Sequence, residues 1–280
     1  MSRDRTASYS TANYFFDRLR GATNYLRSTL TNGEVSAADS VTAFGMDGIS
    51  LREDYAAAAI NYSSTYINHF FKRAPNIFDQ VCYTGTGVAK TEAHGLGVAP
   101  ELMIVKGRDY VSNWICYHSG IGASARITLS GSGTPSADTD VWQNTIPTAS
   151  GFSIGVANGG TIINNSGSKY VAYLFASCPG ISKIGNYTGN GSSQTINCGF
   201  TTGARFILIK RTDSSGDWYV WDIVRGIISA NDPHLSLNTT AAEVTTDDSI
   251  DPDSSGFIVN QLAATNINVS SATYIFLAIA

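Results

Sequence analysis

The chain repeats itself, and this internal repeat constrains the fold more strongly than any local pattern does. The sequence YTGTG at residues 83–87 returns as YTGNG at residues 187–191, 104 positions later. The end of the unit returns as well, because INNSGSKYVAYLFA at 163–176 is matched by INVSSATYIFLAIA at 267–280. Two complete copies of one unit therefore follow each other in the chain.

A third and shorter copy lies at the N-terminus. There DRLRGA at 17–22 matches DIVRGI at 222–227, and INYSSTYINHFFK at 60–72 matches the last residues of the chain. This copy has no YTGxG segment, and we find in it no counterpart of the strand-like RFILIK at 205–210. We therefore predict three modules, of which the first lacks its opening strands, over residues 1–77, 78–180 and 181–280.

Composition and local pattern both favour β-structure. Only 14% of the residues are charged, against about 25% in an average soluble protein, and Ser, Thr, Asn and Gly replace them. Runs such as ELMIVKG at 101–107 and WYVWDIV at 218–224 are short, rich in β-branched and aromatic residues, and bounded by turn residues. The chain is therefore predicted to be all-β, with each module an antiparallel β-sandwich of jelly-roll or concanavalin-like type.

Two local questions follow from this prediction. Residues 10–30 have helix-like apolar spacing, but their counterpart at 216–237 contains Pro233, so we predict two strands with a turn at Gly21. In KYVAYLFA at 169–176, either the even or the odd positions could face the sandwich interior. The sequence does not decide between these two faces.

Charge and cysteine usage limit the partners and the compartment. The net charge of −4 and the pI near 5.5 argue against nucleic-acid binding, which needs clustered Lys and Arg. No apolar leader or membrane-spanning run is evident, so neither secretion nor membrane insertion is predicted. Four cysteines do not recur at matching repeat positions, and free thiols in a protein folded in the cytosol are predicted; they are Cys82, Cys116, Cys178 and Cys198.

The charged and histidine residues do not form a convincing catalytic or metal site. The aspartates of the 247–253 loop could in principle supply a glycosidase pair, but a solvated loop is the favoured interpretation. The four histidines lack metal-ligand spacing, and structural or surface roles are expected for them. Asp17 with Arg20, and Asp222 with Arg225, recur with one spacing and are interpreted as structural ion pairs. No catalytic residue, cofactor or metal is predicted.

Aromatic side chains are the remaining candidates for ligand contact. Most of them are expected to pack in the core or in cross-strand pairs, but an exposed ring could stack on a sugar. Trp142 and Trp221 are the two residues chosen as candidate glycan contacts. The wider set considered is Tyr14, Tyr25, Tyr55, Trp142, Trp218 and Trp221.

The motifs taken together resemble those of a known family. YTGxG, then HGLGVAPELMIVKGRD at 94–109, YVAYLFA, RFILIKR, WDIVRG and the terminal YIFLAIA resemble a repeated domain of unassigned function in virion proteins of tailed bacteriophages. That domain occurs chiefly in long tail and fibre proteins. The resemblance implies a non-catalytic β-sandwich building block of a tail fibre, a tail accessory protein or another virion surface component. It supplies no catalytic residues to transfer.

The resemblance and the incomplete first module together lead to expectations about partners. A homo-oligomer, with a trimer favoured by the usual symmetry of fibres, is expected on the virion together with other virion proteins. Because the first module lacks its opening strands, another chain or another module is expected to cover it by strand addition. The alternatives kept open are a lectin-like module for host glycans and a head decoration protein, whereas a tailspike enzyme is disfavoured.

Overall fold

The protein is built from β-strands and turns throughout the part of the chain that is described. The computed structural model describes residues 1–8, 12–52, 60–156 and 163–280. Within these ranges every strand pair is antiparallel and no helix occurs, so there is no helix long and apolar enough to cross a membrane. The sheets pack together as sandwiches, which confirms the predicted all-β fold class.

The described residues of the first module form seven strands in two sheets. They are β1 (Ser2–Asp4), β2 (Asn13–Asp17), β3 (Gly21–Arg27), β4 (Val35–Ser36), β5 (Val41–Phe44), β6 (Ile49–Leu51) and β7 (Tyr66–Asn68). The larger sheet has the order β4-β3-β2-β1-β7, and β5 pairs with β6 in the smaller one. The segment predicted as strand, turn and strand is therefore confirmed, with Gly21 at φ +94°, where glycine is strongly favoured.

The part of the second module that the structure describes has eight strands. They are β8 (Phe78–Thr84), β9 (Lys90–Ala93), β10 (Leu102–Gly107), β11 (Trp114–His118), β12 (Ala125–Thr128), β13 (Ser136–Ala137), β14 (Gly151–Ile154) and β15 (Lys169–Phe175). The larger sheet has the order β13-β12-β11-β10-β15-β8, and the smaller sheet pairs β14 with β9. A loop that the sequence suggests at 158–160 lies outside the described residues.

The third module repeats this plan. Its strands are β16 (Ser182–Thr188), β17 (Gln194–Asn197), β18 (Phe206–Arg211), β19 (Trp218–Asp222), β20 (Leu235–Ser236), β21 (Ile250–Asp253), β22 (Gly256–Val259) and β23 (Thr273–Ile279). The larger sheet has the order β16-β23-β18-β19-β20, and the smaller sheet has the order β17-β22-β21.

Strand β1 corrects one sequence-based expectation. It lies between β2 and β7, as β10 lies between β11 and β15 and as β18 lies between β19 and β23. Arg3 pairs with Asn13 on β2, just as Lys106 pairs with Trp114. The first module therefore does have a counterpart of the RFILIK strand. At three residues and with the polar sequence SRD, it is too short to show a strand pattern.

Both faces of the central strand β15 are buried, which answers the question that the sequence left open. Tyr170, Ala172 and Leu174 face the interior of the sandwich, where Phe152 of the smaller sheet also packs. The alternate side chains face the opposite way and join a different core; they are Val171, Tyr173 and Phe175. A strand buried on both faces reads as a continuous apolar run and shows no alternation.

That second core is shared by all three modules. It contains Leu26 of the first module, Val171 of the second and Ile275 of the third, together with other residues of the larger sheets. Each module also keeps an interior of its own between its two sheets. The larger sheets therefore surround a common core, and the modules form a ring in which each one contacts the other two.

Equivalent hydrogen bonds join successive modules of the ring. The indole N–H of Trp114 donates to the carbonyl of Arg27 in the first module, at 2.9 Å. The indole N–H of Trp218 donates in the same way to the carbonyl of Thr128 in the second module, at 3.1 Å. Both tryptophans are fully or almost fully buried, so each hydrogen bond satisfies the polar group of a buried side chain.

The third interface completes the ring with a different donor. Asn13 occupies the position of the two tryptophans, and its Nδ2 donates to the carbonyl of Ser236 in the third module, at 3.0 Å. Each interface also contains one fully buried cation that donates to a backbone carbonyl of the neighbouring module. These pairs are Arg3 with Ala241, Lys106 with Thr31, and Lys210 with Ser132.

Candidate interaction site at the open edge of the first module

The two tryptophans proposed as glycan contacts are not on the surface. Trp142 and Trp221 both have an exposed fraction of 0%. Trp142 packs edge-on against Tyr117, and Trp221 packs against His234. Stacking on a sugar needs an accessible ring face, so the prediction is wrong for both residues.

The wider aromatic set gives the same result. Tyr14, Tyr25 and Trp218 are buried as well, and Tyr55 lies outside the described residues. Aromatic content alone could not separate core rings from surface rings, because this fold buries the faces of its larger sheets on both sides.

The repeated Asp–Arg motif forms a structural ion pair, as predicted, and this pair lies at a module interface, which was not predicted. Arg20 contacts Asp17 with its Nε. Its Nη1 lies 3.0 Å from a carboxylate oxygen of Glu34. Arg108 of the second module contacts the same Glu34 at 3.0 Å. Burial raises the pKa of Asp17, but the adjacent Arg20 guanidinium outweighs this effect, and the pKa lies below its usual value. The motif therefore joins the first module to the second.

The second copy of the motif joins the third module to the first. Arg225 contacts Asp222, and it contacts Glu243 at 3.3 Å. Arg5 of the first module contacts Glu243 at 2.6 Å, and His69 Nε2 lies 3.0 Å from an Asp222 oxygen. Glu34 and Glu243 were not predicted from the sequence as members of these ion pairs. Their signal was present in the matching segments GEVSAADSV and AEVTTDDSI.

The aspartates of the 247–253 segment form local hydrogen bonds. Asp248 and Asp251 both accept from Asn260 Nδ2, and Asp253 accepts from Ser255. Nowhere in the described ranges do three His, Cys, Asp or Glu side chains form a group that could hold a metal ion. The four cysteines are free thiols, as predicted.

A buried carboxyl that the sequence did not single out lies beside this segment. Asp232 is 0% exposed and accepts the backbone N–H groups of Ser249 and Ile250, at 2.8 and 3.2 Å. Burial raises its pKa to about 7. Its hydrogen bonds go to the backbone at the start of β21, so it positions this strand.

The YTGxG motif forms the corner of an arm that links the two sheets of a module. In the second module the ring of Tyr83 stacks on Tyr170, with centroids 4.9 Å apart, and the N–H of Thr86 donates to Asn164 Oδ1 at 2.9 Å. A Cβ on Gly85 would lie 2.2 Å from a backbone oxygen, so only glycine fits there without displacement. The third module repeats the stacking and the hydrogen bond.

We call residues 78–93 and 182–197 the opening arms of their modules. In the second module β8 extends the larger sheet beside β15, and β9 pairs with β14 in the smaller sheet. In the third module β16 and β17 pair in the same way with β23 and β22. One arm thus covers an edge of both sheets.

Among the described residues of the first module there is no counterpart of an opening arm, and two of its sheet edges have no strand partner there. Strand β7 matches β15 and β23, yet its only strand partner among the described residues is β1. Strand β6 matches β14 and β22, and within the same ranges it pairs with β5 alone. The two open edges are those that an opening arm covers in the other modules.

An apolar side chain is exposed beside the open edge. Phe70 is 64% exposed, whereas Leu174 and Ala278, which hold the same position in the other modules, are 0% exposed. Exposure at a position that is otherwise buried identifies a surface from which a covering element is absent.

A cavity of about 340 Å³ lies between this edge and the third module. Ile223 and Val224 of the third module line its wall and are 52% and 79% exposed. Lys72 and Arg205 contribute positive charge to the lining. We call this space the open cleft, and its most exposed lining residues are Asn68, Phe70, Lys72, Arg205, Ile223 and Val224.

The second module shows what occupies the matching space. There β8 of the opening arm lies beside β15, and Gln80 on β8 is close enough to Asp17 of the first module to affect its pKa. Asp222 is the counterpart of Asp17, and it lines the open cleft. The cleft therefore occupies the place that the first strand of an arm fills elsewhere in the ring.

Comparison with known proteins assigns the chain to a family. Residues 3–280 match the model of a domain of unknown function, DUF7483. The chain belongs to this family. No curated protein and no solved structure matches the chain. The DUF7483 match extends over all three modules as one unit, which agrees with a ring whose modules share a core.

Proposed function

We propose that the chain is a non-catalytic structural component of a bacteriophage virion, in a tail fibre, a tail accessory protein or the virion surface. The observation that carries this proposal is the use of the repeated charged motif. Both copies of the Asp–Arg–Glu cluster lie at interfaces between modules and bind a cation from the next module. The most specific polar feature of the sequence thus holds the modules together.

The ring adds a mechanical argument. Three modules that share one core and are joined by buried hydrogen bonds resist rotation relative to each other. This property suits a rigid building block, and the resemblance of the repeat to phage tail and fibre domains supports the same role. The exposed lectin contacts that the alternative role requires are not supplied by Trp142 or Trp221, so we do not propose a glycan-binding function.

Electron microscopy of labelled particles tests the proposal. An antibody raised against the recombinant chain should decorate purified virions from lysed host cultures, and the position of the label separates tail from head. A chain that stays in the soluble lysate and is missing from virions by mass spectrometry would overturn the virion role.

Light scattering behind a sizing column tests the predicted homo-oligomer separately. A mass of three chains would support a trimeric fibre component. A mass of 29.7 kDa would favour an accessory or decoration protein that attaches to other virion proteins.

A further inference from the structure

We propose that the open cleft binds an extended β-arm from another polypeptide, which pairs with β7 and β6 and completes the first module. The incoming arm would have the pattern of the opening arms, with alternating apolar residues that lead to a Tyr-Thr-Gly-x-Gly corner. This inference concerns an interaction surface and its partner, and it holds whether or not the protein is part of a virion.

The backbone of β7 is oriented to receive such a strand. The backbone groups of Thr65 and His69 point towards β1. The N–H of Arg5 donates to the Thr65 carbonyl, and the N–H of His69 donates to the Met1 carbonyl. Alternation along the strand then directs the backbone groups of Asn68 and Phe70 to the outer edge. An open edge of this kind is a template for strand addition.

Apolar side chains are placed to be covered by the same strand. Phe70 extends from the edge itself, while Ile223 and Val224 lie on the opposite wall of the cleft. All three are more than half exposed. An arm in the cleft would cover Phe70, as Leu174 and Ala278 are covered in the other modules, whereas Val224 would stay partly exposed, as its counterpart Leu19 does beside β8.

The intact modules define the chemistry of the partner. Tyr66 holds the position of Tyr170 and Tyr274, which stack on the arm tyrosines Tyr83 and Tyr187. Both intact arms carry a tyrosine followed two residues later by the glycine of the close turn, and the same pattern is expected of the partner. Lys72 and Arg205 favour an acidic residue near the start of the arm.

The two opening arms of the chain are already paired with strands of their own modules. Residues 78–93 and 182–197 pair within their own modules. A second copy that donated one of them would open one of its own modules, with no net gain in paired edges. The partner must therefore supply an additional arm, which points to a different polypeptide segment with the same pattern.

Two peptides of the chain's own sequence serve as probes for this interaction. Peptides of residues 77–93 and 181–197, each with an N-terminal fluorophore, are titrated with the full-length protein under reducing conditions, and anisotropy is recorded. Saturable binding with one peptide per chain is expected, together with a rise in the melting temperature at excess peptide. Replacing Tyr83 or Tyr187 by Ala in the peptide should weaken binding at least about tenfold, which corresponds to about 1.4 kcal/mol.

Variants of the full-length protein test whether the peptide binds in the cleft. Asn68→Pro removes an outward N–H and should abolish binding, and Phe70→Ser should weaken it about tenfold or more. Ile146→Ser serves as the matched control, because Ile146 is 69% exposed and does not line the cleft. Near-ultraviolet circular dichroism verifies the fold of each variant, and Phe70→Ser still tests the cleft if Asn68→Pro does not fold.

Two results would overturn the inference. One is the absence of saturable binding by either peptide. The other is binding that Asn68→Pro and Phe70→Ser leave unchanged, because the peptide would then have displaced the native arm of an intact module. Neither result bears on the virion role, which particle labelling decides.

Discussion

Trp114 and Trp218 occupy one position in successive modules, and each donates its indole N–H to a backbone carbonyl of the module before it, at 2.9 and 3.1 Å. Asn13 donates from the matching position at the third interface. A bulky indole and a small amide thus make the same connection. The first module is smaller than the others, and its interface accommodates the shorter side chain.

Trp218→Phe tests the contribution of this hydrogen bond. The change removes the donor, leaves the Thr128 carbonyl without this partner and reduces the packing of a buried ring, so we expect a loss of about 2–4 kcal/mol in the free energy of unfolding. Trp142→Phe is the matched control, because Trp142 is equally buried and its Nε1 has no acceptor among the described residues. Urea denaturation should show the smaller loss for Trp142→Phe, and equal losses would contradict a stabilising hydrogen bond between modules.

The repeat made much of the fold predictable. The all-β class and the missing opening strands followed from self-similarity, and so did the structural ion pairs. The residue Pro233 in one copy showed that residues 10–30 could not be read as a helix, although their spacing suggested one. Equivalent segments share a structure even where one of them lacks a clear pattern.

The ring was not predictable, for a physical reason. Sequence alternation reports whether a strand has one buried face or two, but it does not report what covers the second face. Val171 and Tyr173 are buried by other modules, and so is Trp218, which was taken for a surface ring. Trp142 and Trp221 were also taken for surface rings, but they are buried inside their own modules. The limit on the second face does account for the open cleft, which exists only because the modules meet.

Glu34→Gln tests the ion cluster between the first and second modules. The change keeps the shape of the side chain but removes the charge that Arg20 and Arg108 contact. Since the side chain of Arg20 is fully buried, we expect a loss of about 2–3 kcal/mol in the free energy of unfolding. Asp39→Asn breaks the exposed pair with Arg52. This control should change the free energy of unfolding by less than about 1 kcal/mol. A similarly small loss for Glu34→Gln would show that the ion cluster does not stabilise the contact between the first and second modules.

His69→Tyr tests a pH-dependent contact between the first and third modules. Burial lowers the pKa of His69 below 6.5 despite the hydrogen bond with Asp222. As the pH falls below 6.5, the unfolded chain binds a proton that the folded chain does not, so stability is lost. Tyr173 holds the matching position and donates to Asp17 at 2.9 Å, so tyrosine is expected to fit.

The measurement compares unfolding free energies at pH 7.5 and pH 5.5. His69→Tyr should lose less stability over this range than the unmodified chain does. Part of the loss will remain, because burial also lowers the pKa values of His118 and His234. His94→Tyr, at a half-buried position of the second module, is the control. An unchanged pH dependence in His69→Tyr would rule out His69 as a source of acid sensitivity.

Gly85→Ala tests the corner of the opening arm. The added Cβ would lie 2.2 Å from the carbonyl oxygen of Asn165, so the arm must shift away from the sheet. We expect a loss of about 1–3 kcal/mol. Gly131→Ala is the control, because a Cβ there meets nothing within 4 Å. Equal thermal midpoints for the two variants would show that the corner tolerates a side chain.

Removal of residues 1–77 tests whether the ring is one folding unit. Independent modules would leave residues 78–280 folded. The structure leads to a different expectation, because Trp114 loses both the Arg27 carbonyl and the ring of Phe15, which lies 4.9 Å away. Exposure of a shared core should lower the thermal midpoint of 78–280 and increase the binding of a hydrophobic dye.

Reconstitution distinguishes this outcome from simple misfolding of the fragment. When 1–77 and 78–280 are produced together as separate chains, the contacts of the first module with both other modules can form again. A one-to-one complex with a thermal midpoint near that of the intact chain is therefore expected. A fragment 78–280 that alone unfolds at the midpoint of the intact chain would contradict the shared core, and the modules would then be independent domains that only touch.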